Sequence, residues 1–421
     1  MLARSPNNAG FLLIAAISGR ALASAARRAG YRPLVADFFC DTDTVALAER
    51  TKKLPGDLQN GIDTARLVET LRELAGADRP VALVLGSGFE RTPDIVDEAA
   101  RHFPLAGNGA ATIRRVKDPR SLADDCADLG IPHPEFRWDA PDDPENWVVK
   151  TAGGAGGTHI SRANGTEFPA LISTAPSTTL RVVPLPRKRG RIQAEGGGGG
   201  DWPQHDGGGG GEALSARYFQ RFLSGQSMSA LFVGNGRSAR IIGFSRQWTS
   251  PTPEAPYRYG GAVRLRRIDR QDATMIGNWL DGLTRRAGLT GLCSADFIRN
   301  VDGYHLVEIN PRPGATLDIF DKVEAPLMEA HLRAARNEPY TVPRFADSMA
   351  SMIAYASGPV AHFPKITWPG WTADHQSPGT KLVAGDPICT VFARGPNAAA
   401  TRRSVQAQVR ELQRCWEGDA T

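Results

Sequence analysis

An α/β domain followed by α+β structure is predicted for this chain of 421 residues. Three observations predict it. Up to about residue 102, apolar runs alternate with helical stretches in the order βαβαβ. From residue 217 to 310 the pattern is that of antiparallel strands, broken by one amphipathic helix. Beyond residue 340, short strands are separated by Gly/Pro turns. The first pattern gives a parallel sheet whose ligand edge lies at the strand C-termini. The other two give antiparallel layers.

Each element has its own reason. Phe11–Ile17 is a continuous apolar run, as in a strand covered on both faces. Gly19 and Arg20 open an alanine-rich helix that ends at Ala29-Gly30, glycine being suited to a helix C-terminus. Arg32–Asp37 is the second strand, Ala65–Ala75 a helix, and Val81–Ser87 the third strand. Pro93 precedes a helix over Ile95–His102. Residues 109–135 read as helical up to the turn Gly130-Ile-Pro-His-Pro134. Strands follow at Trp147–Ala152, His159–Arg162 and Leu180–Pro186. The next strands are Arg217–Leu223, Met228–Val233 and Ser238–Thr249. Asp272–Gly288 is an amphipathic helix with Ile276, Leu280 and Leu283 on one face. Strands Gly291–Arg299 and Tyr304–Asn310 flank the turn Asn300–Gly303, and Pro326–Ala335 and Arg402–Trp416 are helical.

Composition narrows the class. Hydrophobic residues make up 41% and charged residues 23%, enough apolar surface to order a globular chain. Net charge is +5, too mild to argue for nucleic acid, whose best case is Arg187-Lys-Arg189 with Arg191. The five cysteines are scattered and none forms a CxxC pair, which fits reduced thiols and a cytoplasmic setting. No leader peptide or membrane span is expected, the apolar run Gly10–Ser18 being short. Glycine is high at 45, but ten of these lie in the runs Gly196–Gly200 and Gly207–Gly211. Residues 187–212 show no periodicity and are expected to be a disordered excursion.

Three motifs carry chemistry. Strand Val148-Val-Lys150 runs into Thr-Ala-Gly153-Gly-Ala-Gly-Gly157. Glycines let backbone N–H groups approach an anion, and a strand-end lysine offers phosphate a point charge. Such a loop is also a common structural device. Glu308 and Asn310 lie two apart on one strand face, and Asp296 on the preceding strand can pair with them. Three oxygen ligands of this kind suit Mg²⁺ beside nucleotide phosphates, although any one carboxylate alone reads as a polar sheet face. The run Gln220-Arg-Phe-Leu223 is a strand end and turn between the other two.

Together these parts resemble the ATP-grasp superfamily of carboxylate–amine and carboxylate–thiol ligases, over roughly residues 10–330. Val116-Lys117-Asp118 and Leu129–Pro132 resemble the start of its ATP-binding module. The resemblance implies that Lys117 and Lys150 hold α/β-phosphates under a loop of Gly153, Gly154, Gly156 and Gly157. It implies a hinge at Gln220, Arg221, Phe222 and Leu223 for adenine. It makes Asp296, Glu308 and Asn310 ligands of Mg²⁺ (or Mn²⁺), and Arg312, with Lys150, the catalytic pair. The implied organisation is a Rossmann-like pre-ATP-grasp domain at 1–116 and a two-lobed ATP-grasp module. Its small lobe is 117–226, with the excursion at 187–212, and its large lobe is 227–336. A small β-rich C-terminal domain at 337–421 completes the chain.

The implied reaction is ATP-dependent activation of a small carboxylic acid as an acyl phosphate, then capture by an amine, with release of ADP and phosphate. The chain is similar to ATP-grasp proteins assigned to one-carbon cofactor biosynthesis, including tyramine–glutamate ligase-like proteins. Alternatives are a bicarbonate-using, carboxyphosphate-forming enzyme and a non-catalytic ATP-binding module. Expected partners are the small-molecule acid and amine and a second copy in a homodimer, with no nucleic acid or membrane. Two departures concern subfamily: Gln226-Ser227-Met228 follows Gly225 without a ribose-binding glutamate, leaving that role to Gln220 or Gln226, and Ser294 stands where some ligases have arginine. Arg258 and Arg264, with Gly260-Gly261, are candidates for an anionic substrate, and Trp248 for the core. No biotinylation motif is present.

Overall fold

The computed structural model describes residues 10–57, 60–163 and 217–417. Strand Leu180–Pro186, the basic cluster at 187–191 and the glycine runs lie outside the described residues. A five-stranded sheet forms the first domain, in the order Arg50–Lys53, Arg32–Asp37, Phe11–Ala15, Ala82–Leu85, Leu105–Ala106. All its pairings are parallel. Leu12, Leu13 and Ile14 are fully buried, as the unbroken apolar run requires of a strand covered on both faces. Helices Arg20–Arg28, Thr64–Ala75 and Asp94–Ala100 supply the cover. Asp63 caps the second through the N–H of Ala65.

The helical stretch after residue 109 is two helices, Ala110–Lys117 and Pro119–Asp128. Asp118 ends the first and caps the second, its side chain accepting from the Ser121 N–H. Proline at 119 forces the preceding residue out of the α region, and Asp118 is extended with ψ 121°. This break fixes the direction in which Lys117 leaves the first helix.

A four-stranded antiparallel sheet follows, in the order Ile160–Arg162, Trp147–Thr151, Arg217–Arg221, Phe136–Arg137. An eight-stranded sheet holds the remainder. Its order is Gly303–Asn310, Thr290–Asn300, Gln226–Asn235, Ala239–Thr249, Tyr259–Arg264, Ser348–Tyr355, Pro387–Gly395, Thr372–Ala373. Helix Arg270–Ala287 packs Ile276, Leu280 and Leu283 onto one face, together with Val116 and Leu122. The other face meets the first domain, where Leu231 and Val233 share a core with Leu22, Leu327 and Phe320.

The C-terminal segment adds its strands to this same sheet, through antiparallel pairing of Gly261–Val263 with Ala350–Met352. It keeps its own core, in which Val405, Val409, Leu412 and Trp416 of helix Ala398–Glu417 cover Ile388 and Val391. Several short elements were not expected: helix Thr42–Leu47, strand Arg50–Lys53 and strand Leu105–Ala106. Arg50-Thr-Lys-Lys53 is a polar edge strand with no apolar pattern to reveal it. Tyr259–Arg264, which carries Gly260, Gly261 and Arg264, is an interior strand. Among the described residues no helix is long and apolar enough to cross a membrane, and the five cysteines are unpaired.

Candidate active site

The site lies where the two antiparallel sheets face each other. Asp296 and Glu308 are cross-strand partners, and Ser294 pairs with Asn310. A bulge between Asp296 and Phe297 adjusts the ladder directly beside the pair. All three candidate metal ligands therefore reach one corner. The Asn310 amide nitrogen donates to Asp296 Oδ2 at 3.0 Å. Lys117 enters from the opposite side and donates from Nζ to Glu308 Oε1 at 2.5 Å and Asn310 Oδ1 at 2.8 Å.

The charges at this corner are strongly coupled. Burial would raise the Glu308 carboxyl, but Lys117, then His159 and Lys150, override it and hold it at about 2. Burial and the Glu308 charge push Asp296 up to about 6, against Ser229, Lys117 and Arg312. Two carboxylates and an amide oxygen make a hard oxygen donor set suited to a divalent cation. A cation between Asp296 and Glu308 would remove the repulsion that raises Asp296. Among the described residues no three His, Cys, Asp or Glu side chains gather as a metal group, so the amide of Asn310 is essential to the fit.

Lys150, next to last in strand Trp147–Thr151, lies opposite the same corner. It is buried, and desolvation lowers its ammonium despite Glu308 and Asp296. A cavity lined by Lys117, Lys150, Gly153, Gly154, Gln220 and Glu308 joins these parts. His133, His159 and Tyr218 line it as well. Burial and Lys150 bring His133 to about 4. Burial likewise brings His159 to about 4, with Lys150 and Lys117 adding to it and Glu308 opposing. Both imidazoles are thus neutral near pH 7. The sequence carried a signal for His159, which flanks the glycine loop, and a weaker one for His133 between two prolines.

The glycine loop is docked. Gly153, Gly156 and Gly157 all have positive φ, at 70°, 69° and 77°, where only glycine is unstrained. A Cβ on Gly153 would lie 2.8 Å from the Glu90 carbonyl oxygen, and one on Gly157 1.9 Å from that of Tyr257. Gly154 makes room for the His159 ring. The Tyr259 N–H donates to the Gly156 carbonyl at 3.0 Å. The loop therefore spans the first domain and the large lobe.

Other candidates lie elsewhere. Gln220 is buried and faces the cavity. The Arg221 side chain pairs with Asp143 at 2.8 Å, and Phe222 lies beneath Arg162. The N–H groups of Arg221 and Phe222 are taken by Glu135 and Asn146 carbonyls, and Leu223 stands outside the cavity lining. Arg312 is held by Glu90, Nε to Oε1 at 2.6 Å. The substrate role expected for Arg258 and Arg264 is not met by their contacts. Arg258 donates to the Ser250 and Gly385 carbonyls and stacks on Tyr355. Arg264 is fully buried, donating to the Ile319 carbonyl and to Asp347 at 2.6 Å. Gly260 and Gly261 do not admit a ligand; their missing side chains admit the backbones of neighbouring strands and the Trp248 ring. Trp248 itself packs against the C-terminal core.

The family profile of the ATP-grasp domain matches residues 194–316, a span that includes Gln220, Asp296, Glu308, Asn310 and Arg312. No curated protein matches in sequence. An L-amino acid ligase from Bacillus licheniformis superposes with a TM-score of 0.64 at 12% identity, over 96% of this chain and 97% of that one. The biotin carboxylase domain dimer of the Hydrogenobacter thermophilus 2-oxoglutarate carboxylase, solved with MgADP, ADP and bicarbonate, gives 0.64 at 11% identity, covering 94% and 89%. An N5-carboxyaminoimidazole ribonucleotide synthetase, solved as its ADP complex, gives 0.61 at 13%, covering 96% and 97%. Lys117, Lys150 and the glycine loop lie outside the matched span, and the fold brings them to its acidic corner. Residues 194–316 thus match the ATP-grasp domain, and the whole chain shares its fold with these ligases and carboxylases.

Proposed function

We propose that the protein is an ATP-dependent ligase that activates a small carboxylic acid as an acyl phosphate and joins it to an amine, releasing ADP and phosphate. One observation carries the reading: Lys117, Lys150 and Glu308 line one cavity with Gly153 and Gly154 of the glycine loop, and Asp296 and Asn310 adjoin Glu308 and Lys117 there. Transfer of a phosphoryl group needs charge neutralisation and positioning more than covalent help. Lys117 and Lys150 supply fixed positive charge for the α- and β-phosphates. Asp296, Glu308 and Asn310 would hold Mg²⁺, which neutralises the β/γ-phosphate oxygens when bound. Arg312 meets the developing acyl phosphate, and the docked loop keeps water from it. Gln220 faces the place a nucleotide would fill.

An ADP-release screen over acids and amines, read with mass spectrometry of the product, tests this. Glu308→Ala is expected to lower turnover by about 100-fold or more, in line with the loss of a charge-stabilising group. Unchanged turnover in that variant would refute the metal assignment. ADP release that depends on bicarbonate, with no amine incorporated, would replace the ligase reading by carboxyphosphate chemistry. In solution a homodimer is expected.

A further inference from the structure

Glu90 is a buried carboxylate of the first domain that reaches Arg312 and lies under Gly153 of the glycine loop. It stands in the turn Ser87-Gly-Phe-Glu-Arg91, beyond strand Ala82–Leu85 at the carboxyl edge of the parallel sheet. It is 3% exposed, where an unpaired carboxylate would be costly. Both its oxygens are committed. Oε1 accepts from Arg312 Nε at 2.6 Å, and Oε2 accepts from the Gly88 N–H at 2.8 Å. Burial would raise its carboxyl, but Arg312 and Lys117 bring it below the ordinary glutamate range.

Both ends of this ion pair are fixed. Gly88 has φ 117°, so the turn that holds Glu90 depends on glycine. On the other side, Asn108 of the first domain donates to the carbonyls of Thr290 and Pro311, the latter beside Arg312. His331 accepts from the Leu292 N–H and reaches the Ala106 carbonyl, tying the same edge to the same strand. Attachment through Nε leaves the outer edge of the guanidinium lightly used, Nη1 reaching only the Pro313 carbonyl at 3.4 Å. That edge has donors in hand for an anionic oxygen. Gly153 of the docked loop packs directly on the Glu90 carbonyl.

We propose that Glu90 is a positioning residue: it grips Arg312 through Nε, turns the outer guanidinium edge to the phosphoryl-transfer site, and makes that aim depend on docking of the first domain and the glycine loop. The proposal rests on the ligase reading of Arg312. It is a claim about orientation, so its signature is a loss of kcat with little change in ATP binding.

The test uses the full chain with Mg-ATP, an amino-acid mixture and bicarbonate, and slow hydrolysis by water supplies the rate if no acid raises it. Glu90→Ala is expected to lower kcat by about 100-fold, the scale of a misaimed catalytic group, with the KM for ATP within about threefold. Glu90→Gln keeps an acceptor but loses the charge, so a loss of about tenfold is expected. In an Arg312→Gln background, Glu90→Gln should cost less than about twofold, because the residue acts through Arg312. A kcat within threefold of wild type in Glu90→Ala, or a full multiplicative loss in the double variant, would overturn the proposal. If Glu90→Ala does not fold, the Glu90→Gln cycle decides alone. Failure of the underlying reading looks different: wild type would bind no Mg-ATP by calorimetry, or Lys150→Ala would bind it unchanged, and the proposal would fall with it.

Discussion

Lys117 and Glu308 stand 191 positions apart in sequence and meet at 2.5 Å. The lysine leaves the last turn of helix Ala110–Lys117, and the glutamate lies on strand Gly303–Asn310. Glu308 is also the cross-strand partner of Asp296. The ammonium thus bridges Glu308 and Asn310, and holds one carboxylate ionised beside another.

Replacing Lys117 with methionine removes that charge and leaves the two carboxylates to repel each other. Mg-ATP affinity should fall by about tenfold or more, as for loss of a charge-assisted contact. Mg²⁺ alone should raise the thermal midpoint of Lys117→Met by more than that of wild type, since the cation takes over the missing neutralisation. Thermal scans with and without Mg²⁺ read this directly, and equal shifts in the two proteins would contradict it.

The glycine loop offers a controlled comparison. Gly156 and Gly157 share positive φ, at 69° and 77°, so alanine at either carries a similar backbone penalty of about 1 kcal/mol. Only at Gly157 does the new methyl strike protein, the Tyr257 carbonyl oxygen; at Gly156 nothing lies within 4 Å. Steady-state turnover of Gly157→Ala should be about tenfold below that of Gly156→Ala, the scale of a partly misplaced lid. Equal rates would show that the docked loop is not the working pose.

His331 predicts an acid-side loss of stability. It is 1% exposed and burial brings it to about 4, against an ordinary value near 6.5. Between those values the unfolded chain binds a proton that the folded chain refuses, so stability is present above about pH 6.5 and is lost as pH falls toward 4. The contribution is about 3 kcal/mol across that window. Urea unfolding at pH 7.5 and at pH 5, in wild type and in His331→Gln, checks it. The variant should show the smaller difference.

Much of the fold was legible because its strands are buried. Phe11–Ala15 and Ala82–Leu85 are apolar throughout, and helix Arg270–Ala287 carries both its stripe and its end signals, Asp269 and Gly288. What escaped were elements without such a pattern. Arg50–Lys53 is polar because it is an edge strand, and Leu105–Ala106 is two residues long. In the site, Asp296, Glu308 and Asn310 were readable because strand alternation places them on one face. Glu90 was not, since nothing local distinguishes a turn glutamate from a solvated one.

The sequence by itself determined the strand and helix periods, the lysine with its glycine loop, and the spacing of the acidic strand. These are local properties, set by side-chain alternation and by backbone freedom at glycine. Only the tertiary structure decided which charges meet. It gave Lys117 to Glu308 and Arg312 to Glu90, and withdrew Arg258 and Arg264 into structural bonds. Partnership between charges depends on distance and desolvation, and neither is encoded in the spacing of residues along the chain.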